Sequence, residues 1–281
     1  MFGRIIIRDH LKSKHIIKRN PRFEQKLPKL GNHKAILLAQ FGILLFFGGY
    51  FVGLPTFSGH SEILNPIGLF NSEYVVENLR DDTTGLSKYW KISPSTSLSV
   101  NILNPVSMSN ESIEIIKNTI TSTEVIEMDD SLMYKDPKDS FSTYYRGWKG
   151  ALEATPETKI PIPKNFKISN LQTSDGDIII ILSNIKDRSG NTGYTKTVLE
   201  GEQIVKVFIT IYDVNALSNN QLETIMRHEF GHALGLGHSS ASEDLMAPTI
   251  DMTYPYISYC NVAAISDLYN GNSDGTTTCE K

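Results

Sequence analysis

Two histidines and a glutamate in the last third of the chain have types and a spacing suited to metal chemistry. His228 and His232 are four residues apart, so on a helix both imidazoles lie on one face, one turn apart. Such a pair suits a borderline-soft divalent ion such as zinc. Glu229 is rotated by about 100° from His228, which places a carboxylate beside the metal without making it a ligand. The three residues therefore predict a metal site in which a base can take a proton from an activated water.

A third ligand follows at a fixed distance. Gly235 lets the chain leave the helix in a conformation that a residue with a Cβ resists, and the turn brings His238 round to the metal. Three protein ligands leave one coordination position open, which is typical of a catalytic rather than a structural zinc site. The shorter pattern around His228 and His232 also occurs by chance on helix surfaces, but the added glycine and histidine argue against that alternative.

The residues from His228 to His238 are His-Glu-Phe-Gly-His-Ala-Leu-Gly-Leu-Gly-His, and Met246 follows eight residues later. This extended motif with its later methionine resembles the metzincin signature. Ser239, directly after the third histidine, makes it similar to the motif of the matrixins, the matrix-metalloprotease-like branch. The resemblance covers about residues 96–271. Two further segments resemble matrixin ones: Asp177-Ile178-Ile179-Ile180-Ile181 and Leu268-Tyr269-Asn270-Gly271.

The resemblance implies a zinc-dependent endopeptidase that hydrolyses a protein or peptide substrate. The implied fold is α+β, a metzincin-type zincin domain with a mixed twisted sheet, a zinc-binding helix, a Met-turn and a C-terminal helix. His228, His232 and His238 would hold one catalytic zinc ion. Glu229 would be the general base, and Met246 in the Met-turn would form a hydrophobic floor beneath the metal.

The chain departs from the matrixin pattern in two places. No cysteine precedes Cys260, so the inhibitory cysteine of a typical matrixin propeptide is missing. Cys260-Asn261 stands where the family often has a pair of aspartates, so the ion pair with a freed N-terminus lacks its usual partner. Beyond His60 the only histidines are those of the motif, which leaves no ligands for a second zinc. Two oxygen-rich loops could hold calcium or be plain turns: Asp175–Asp177 and Asp187–Asn191.

Charge divides the chain into two parts. The 281 residues carry a formal net charge of -4 and are 40% hydrophobic, enough for a globular domain with a core. Residues 1–34 carry ten Lys/Arg against Asp9 and Glu24, a net of +8, whereas the remainder carries a net of -12. A basic arm of this kind can bind nucleic acid. The segment that follows points to a membrane instead, and no nucleic-acid partner is expected.

Residues 35–54 contain no charged side chain, and Gln40 is their only strongly polar residue. As a helix they would span a hydrocarbon core of about 30 Å. Because the basic arm precedes them, the positive-inside rule places residues 1–34 in the cytoplasm and the peptidase outside the cell membrane. The sequence thus predicts a single-pass signal anchor. A cleaved signal peptide, which would make the protein secreted, is the alternative; the length and uniformity of the run disfavour a buried core helix.

Composition also predicts the remaining boundaries. Residues 55–95 are rich in turn-forming residues and predict a stalk or lead-in, residues 96–271 the peptidase domain, and residues 272–281 a C-terminal tail. Cys260 and Cys279 both lie in the exported part, where an oxidising environment favours a disulfide between them. Two free thiols are the alternative.

Hydrophobic periodicity and turn residues predict the elements of the domain. Ser218 and Gln221 form a capping box that begins the zinc helix, and a last helix runs from about Ser258 to Tyr269. A polar insertion is expected over 129–140 and a helix over Tyr144–Leu152. Strands are expected over 97–103, 160–168, 178–182, 193–199 and 204–212. The strand over 160–168 belongs at an edge because it contains two prolines, and 193–199 is the candidate edge strand for an extended substrate.

A rival from a different functional class is a surface protein without catalytic activity. It would keep zinc for structure, or bind peptides without cutting them. A structural zinc site has no use for a general base, so the intact Glu229 argues against this alternative.

Overall fold

The structure, a computed structural model, describes residues 73–79, 87–129, 141–250, 252, 255–271 and 275–280, which all fall within one unit of the chain. The expected basic arm over 1–34, the expected anchor over 35–54 and the first part of the expected stalk lie outside these residues. Over the described ranges, no helix combines the length and the apolarity needed to cross a membrane.

The described residues form helices and strands in a mixed α/β arrangement. The four α-helices are α1 (Asn110–Thr121), α2 (Trp148–Glu153), α3 (Asn219–Ala233) and α4 (Tyr259–Tyr269). The eleven strands are β1 (Glu73–Asn78), β2 (Tyr89–Trp90), β3 (Leu98–Leu103), β4 (Val125–Asp129), β5 (Phe141–Tyr145), β6 (Phe166–Ser169), β7 (Ile178–Leu182), β8 (Gly193–Glu200), β9 (Gln203–Ile211), β10 (Leu236–Ser239) and β11 (Thr276–Glu280).

The larger sheet is mixed and has the order β2-β9-β7-β3-β6, with β8 antiparallel along β9. Strand β7 is a run of four isoleucines and a leucine, almost wholly buried, as a strand covered on both faces requires. The strand expected over 160–168 is confined to Phe166–Ser169, because prolines 161 and 163 cannot donate to a ladder. It lies at the sheet edge, which is the position expected for it.

Helix α3 lies across this sheet and carries the metal-binding motif. The expected capping box is present: the Ser218 side chain accepts from the Gln221 amide, and the Gln221 side chain accepts from the Ser218 amide. Helix α1 packs beside α3 and buries Ile113, Ile116 and Ile120 in the shared core. A continuous buried core therefore supports α3 from the sheet side.

A smaller antiparallel sheet has the order β10-β1-β11. Its central strand β1 comes from the segment expected to be a stalk, and Val76 of that strand is fully buried. Strand β2 also precedes residue 96, and its Trp90 is in the core. The expected domain start at residue 96 is therefore corrected to include Glu73–Asn78 and Tyr89–Trp90. Likewise, residues 276–280 of the expected tail form strand β11.

Strands β4 and β5 pair as an antiparallel hairpin around the expected insertion, most of which lies outside the described residues. The expected helix over Tyr144–Leu152 begins later, at Trp148, because Tyr144 and Tyr145 belong to β5. Phenylalanine, threonine and tyrosine, which make up most of β5, all favour strands. Trp148 is fully buried, and its Nε1 donates to the carbonyl oxygen of Arg227 at 2.7 Å, so α2 is fixed against the zinc helix.

Candidate metal and hydrolytic site

Helix α3 presents His228 and His232 on one face, with each ring fixed by a backbone carbonyl. Nδ1 of His228 lies 2.7 Å from the Leu245 oxygen, and Nδ1 of His232 lies 2.8 Å from the Leu236 oxygen. Because a carbonyl oxygen only accepts, each Nδ1 carries the proton and each Nε2 carries a lone pair. The two Nε2 atoms lie 2.9 Å apart. A cation between them would convert the repulsion of two facing lone pairs into coordination.

The third histidine reaches the same point through a glycine turn. Gly235 has a φ of +106°, and a Cβ there would overlap the Lys88 carbonyl oxygen and lie 2.7 Å from Leu268 Cδ2. Strand β10 follows and places His238 so that the three ligand nitrogens all lie within 4.8 Å of one another. Nε2 of His238 is buried and finds no hydrogen-bond partner among the described residues. A buried nitrogen in that state is expected of a metal ligand.

The chemistry of this donor set fits zinc. Burial holds the pKa of His228 well below its usual range, helped by the neighbouring His232. Burial and His238 lower the pKa of His232 to about 3, and burial also lowers that of His238. Neutral imidazoles are the ligand form that zinc requires, and three of them leave a fourth position open.

Glu229 lies beside the triad with its two carboxylate oxygens in different surroundings. Oε2 accepts a hydrogen bond from Oγ1 of Thr195 in β8 at 2.5 Å. Oε1 is buried and has no partner within the described ranges. Burial raises the pKa of Glu229 to about 8, and the Thr195 bond opposes that rise. The side chain is thus a poised proton acceptor with one oxygen left available.

Met246 lies against the helical turn that carries both helix ligands. It is fully buried, and a Cβ at Gly231, between His228 and His232, would overlap its sulfur. Its carbonyl oxygen accepts from the Ser239 amide at 2.9 Å, which joins the Met-turn to β10. The methionine therefore packs against the turn of α3 that carries His228 and His232.

The comparisons with known proteins agree with this geometry. The matrixin family model matches residues 147–270. The chain carries a matrixin-like catalytic domain. It is also 46% identical over 61 residues to metalloendoproteinase 2-MMP of Arabidopsis thaliana. That alignment covers 20% of this chain and 16% of the relative, so it concerns a small part of either protein.

The last helix of the matrixin-like domain is tied to the Met-turn by a buried carboxylate that sequence reasoning assigned no role. Asp244 accepts from the Met246 amide at 2.8 Å, from Asn261 Nδ2 at 3.0 Å and from the Ser258 hydroxyl at 3.2 Å. Ser258 and Asn261 also form the capping box of α4. Asn261, noticed in the sequence only as a departure from the matrixin aspartate, therefore joins α4 to the loop that orients His228.

Arg227, directly before the first ligand, is a second residue that sequence reasoning missed. Its guanidinium is buried and donates to the carbonyls of Arg146 and Pro255 and to Glu223 Oε1. It also lies 5.1 Å from the centre of the Tyr256 ring. Arginine in the middle of a helix usually indicates a solvated face, so no sequence signal marked it as the clamp between α3 and the loop after the Met-turn.

Each of the two loops considered for calcium has a carboxylate oxygen that accepts hydrogen bonds from the protein itself. Asp177 Oδ2 accepts from the Ser99 amide and hydroxyl, both at 2.7 Å. Asp187 Oδ2 accepts from the amides of Ser189 and Asn191. The bonds of Asp187 are those of an ordinary turn, whereas Asp177 joins the start of β7 to β3. We looked among the described residues for three or more His, Cys, Asp or Glu side chains close enough to share a metal ion. The group that meets this condition is the histidine triad.

Strand β8, the candidate substrate strand, begins beside the base. Among the described residues it pairs with β9 alone, so its other edge carries amides and carbonyls outside the ladder. Gly193 and Thr195 face Glu229, and the strand then leads away along the sheet.

Proposed function

We propose that this protein is a zinc-dependent endopeptidase that hydrolyses peptide bonds. The observation that carries the proposal is the convergence of three neutral imidazoles beside a buried carboxylate with one available oxygen. The zinc ligands would be His228, His232 and His238. Zinc bound there would activate water and polarise the carbonyl of the scissile bond. A site built only for structure would need neither an available carboxylate oxygen nor an open coordination position.

The chain's own residues would move the proton. Glu229 Oε1 accepts a proton from the attacking water, and the protonated carboxyl then delivers it to the amine that leaves when the C–N bond breaks. Oε2 remains bonded to Thr195 throughout. The carbonyls of Leu245 and Leu236 keep the imidazoles of His228 and His232 in the ligating tautomer.

The substrate would be an extended peptide segment added to the open edge of β8. Main-chain hydrogen bonds to the strand would supply much of the affinity, and pockets for alternate side chains would supply selectivity. This position brings a peptide bond of the added strand to the end of β8 where Gly193 and Thr195 contact Glu229.

We also propose that residues 35–54 anchor the protein in the cell membrane, with the N-terminus in the cytoplasm and the peptidase outside. The uncharged run and the preceding arm of net charge +8 support this orientation. The Cys260–Cys279 disulfide supports an oxidising compartment for the domain. Protease added to intact cells should remove the domain and spare residues 1–34, and alkaline carbonate should leave the protein in the membrane pellet. Release into the supernatant would favour the secreted alternative.

Catalysis can be tested with the full chain in detergent and a library of peptides. The wild-type protein should contain one zinc ion and cleave peptides, and a chelator should abolish cleavage. Glu229→Gln keeps the shape of the side chain, so zinc content and melting temperature should stay the same while kcat falls by about 10²–10⁴-fold. Zinc-loaded wild-type protein that cuts no peptide would support the non-catalytic rival.

A further inference from the structure

We propose that Thr195 is a positioning residue that fixes the carboxylate of Glu229 for catalysis. The proposal rests on the proposed function, because Glu229 needs positioning only if it acts as a base. The residue lies in β8, outside the metal-binding motif, and its hydroxyl contacts Glu229.

The hydroxyl of Thr195 has two acceptors and one proton. Oγ1 lies 2.5 Å from Glu229 Oε2 and 3.1 Å from the carbonyl oxygen of the same residue. The shorter contact is to the carboxyl group. Thr195 is β-branched and buried, so its χ1 torsion is stiff and the hydroxyl direction is defined.

Gly193 shapes the other side of the same carboxylate. Residues two apart in a strand share a face, so Gly193 and Thr195 both point towards Glu229. A Cβ at Gly193 would overlap Glu229 Oε1 and would lie 2.8 Å from Cγ and 2.9 Å from Cδ. The glutamate therefore occupies space that exists because position 193 has no side chain.

Together these contacts give the two carboxylate oxygens of Glu229 different roles. Thr195 engages Oε2, whereas Oε1 has no hydrogen-bond partner in the described part of the chain. Without the hydrogen bond from Thr195, the Glu229 side chain could rotate about its three torsions, and the two carboxylate oxygens could exchange positions. Thr195 also belongs to β8, the strand proposed to align the substrate. One strand would therefore set both the register of the bound peptide and the position of the base.

The test compares two substitutions of Thr195 in the full-length, zinc-loaded protein. Thr195→Val keeps the shape but removes the hydroxyl, and kcat should fall by about 10–100-fold, as for other residues that orient a metal site. KM should change less than about twofold, since peptide binding to the strand backbone is intact. Thr195→Ser keeps the hydroxyl and should restore most of the lost kcat. Zinc content should be unchanged in both variants.

Thr119→Val supplies a matched control for the loss of a buried hydroxyl. Thr119 is fully buried in α1 and its Oγ1 donates to the Ile115 carbonyl at 2.9 Å, far along the chain from the site. This variant should lose stability to a similar extent but keep the wild-type kcat. An equal fall in kcat for Thr119→Val and Thr195→Val would assign the effect to general destabilisation and overturn the proposal.

Crystal structures of the zinc-loaded variants give a readout that does not depend on activity. The Glu229 carboxylate should shift or adopt a second conformer in Thr195→Val and stay in place in Thr195→Ser. An unmoved carboxylate with wild-type kcat in the valine variant would refute the positioning role. If the wild-type protein cleaves no peptide, the proposed function fails, while the crystal structures still decide whether Thr195 positions Glu229.

A second variant acts on the same carboxylate if Thr195→Val does not fold. Gly193→Ala leaves the hydroxyl in place but inserts a methyl group into the space of Oε1. The expected result is a lower kcat with zinc retained. Wild-type kcat in a folded Gly193→Ala protein would mean that the carboxylate position is not critical, and the proposal would be wrong.

Discussion

The two halves of the metal site are held in different ways. His228 and His232 stand one turn apart on α3, are almost fully buried, and each has Nδ1 fixed by a carbonyl. His238 stands on the short strand β10 and is only partly buried, and its unpartnered Nε2 is the nitrogen left for the metal. The helix half is therefore organised by nearby sequence, whereas the strand half relies on other parts of the chain.

Strand β10 obtains its support from the two ends of the described chain. It pairs with β1 through Val76–Ser239 and Asn78–Leu236, and β1 pairs in turn with β11. The disulfide between Cys260 and Cys279 then joins β11 to the first turn of α4. Strand β1, which lies more than 150 residues before His238 in sequence, thus positions the third ligand together with β11. The comparison shows that a short sequence motif can supply all the metal ligands, while strands distant in sequence are needed to hold one of them in place.

The largest expected effects come from removing a single zinc ligand, either from the helix half or from the strand half. His232→Ala should abolish zinc binding and peptide cleavage, because the buried, prearranged helix pair is destroyed. His238→Ala should also lose cleavage, but the two helix ligands should still bind zinc weakly. Changing a residue that only hydrogen-bonds to a metal ligand costs about 10–100-fold in metal affinity. Removing a ligand itself should therefore lower the zinc affinity by more than that. Titration with zinc measures both affinities; tighter binding by His232→Ala than by His238→Ala would reverse the comparison.

Acid should destabilise the zinc-free protein mainly through the helix half. An unfolded imidazole titrates near pH 6.5, whereas burial lowers the pKa of His232 to about 3 and that of His228 well below its usual range. Both values are depressed on folding, so the unfolded state binds more protons and stability falls as pH drops from about 6.5 towards 3. Above pH 6.5 this contribution to stability is fully present.

Urea melts of the chelated protein between pH 7.5 and 4.5 measure this slope. Glu229, whose pKa burial raises to about 8, binds its proton more tightly in the folded state and offsets part of this loss over the same window. The test is therefore a comparison of variants: His232→Gln should lose less stability on acidification than the wild type, because one depressed imidazole is removed. His238→Gln should have a smaller effect, since that residue is less buried. A larger effect at His238 would show that burying the imidazole of the strand half costs more free energy than burying an imidazole of the helix half.

The same contrast explains what could be predicted from the sequence. The ligands, Glu229, Met246 and the Ser218–Gln221 cap lie within 30 residues, where helix period and capping chemistry determine the geometry. The pairing of β1 with β10 and β11 was not predicted, because strand partners far apart in sequence leave no local signal. For the same reason the contact of Thr195 with Glu229 was missed, although both residues lie in correctly predicted elements.

The next prediction tests the disulfide as a support of the strand half. Replacing Cys260 and Cys279 by serine opens a cross-link with a sequence separation of 19, for which the chain-entropy model gives about 3 kcal/mol. For a domain of this size the melting temperature should fall by roughly 6–12 °C. Zinc should remain bound at room temperature, since the ligands are unchanged, but a chelator should remove it faster. An unchanged melting temperature would mean that β11 is held by its hydrogen bonds alone.

The smallest expected effect concerns one side-chain bond of β11. Thr277 is buried, and its hydroxyl donates to Asp267 Oδ2 of α4 at 2.8 Å. Thr277→Val should cost about 1–2 kcal/mol, because the carboxylate loses a donor that water replaces only in part. Thr278→Val is the matched control, since the neighbouring threonine lies on the exposed face of the same strand and should change stability by less than about 0.5 kcal/mol. Chemical denaturation measures both, and neither change should alter zinc content if the helix half holds the metal independently. Equal losses for the two variants would show that strand propensity, rather than the bond to α4, determines how firmly β11 is held.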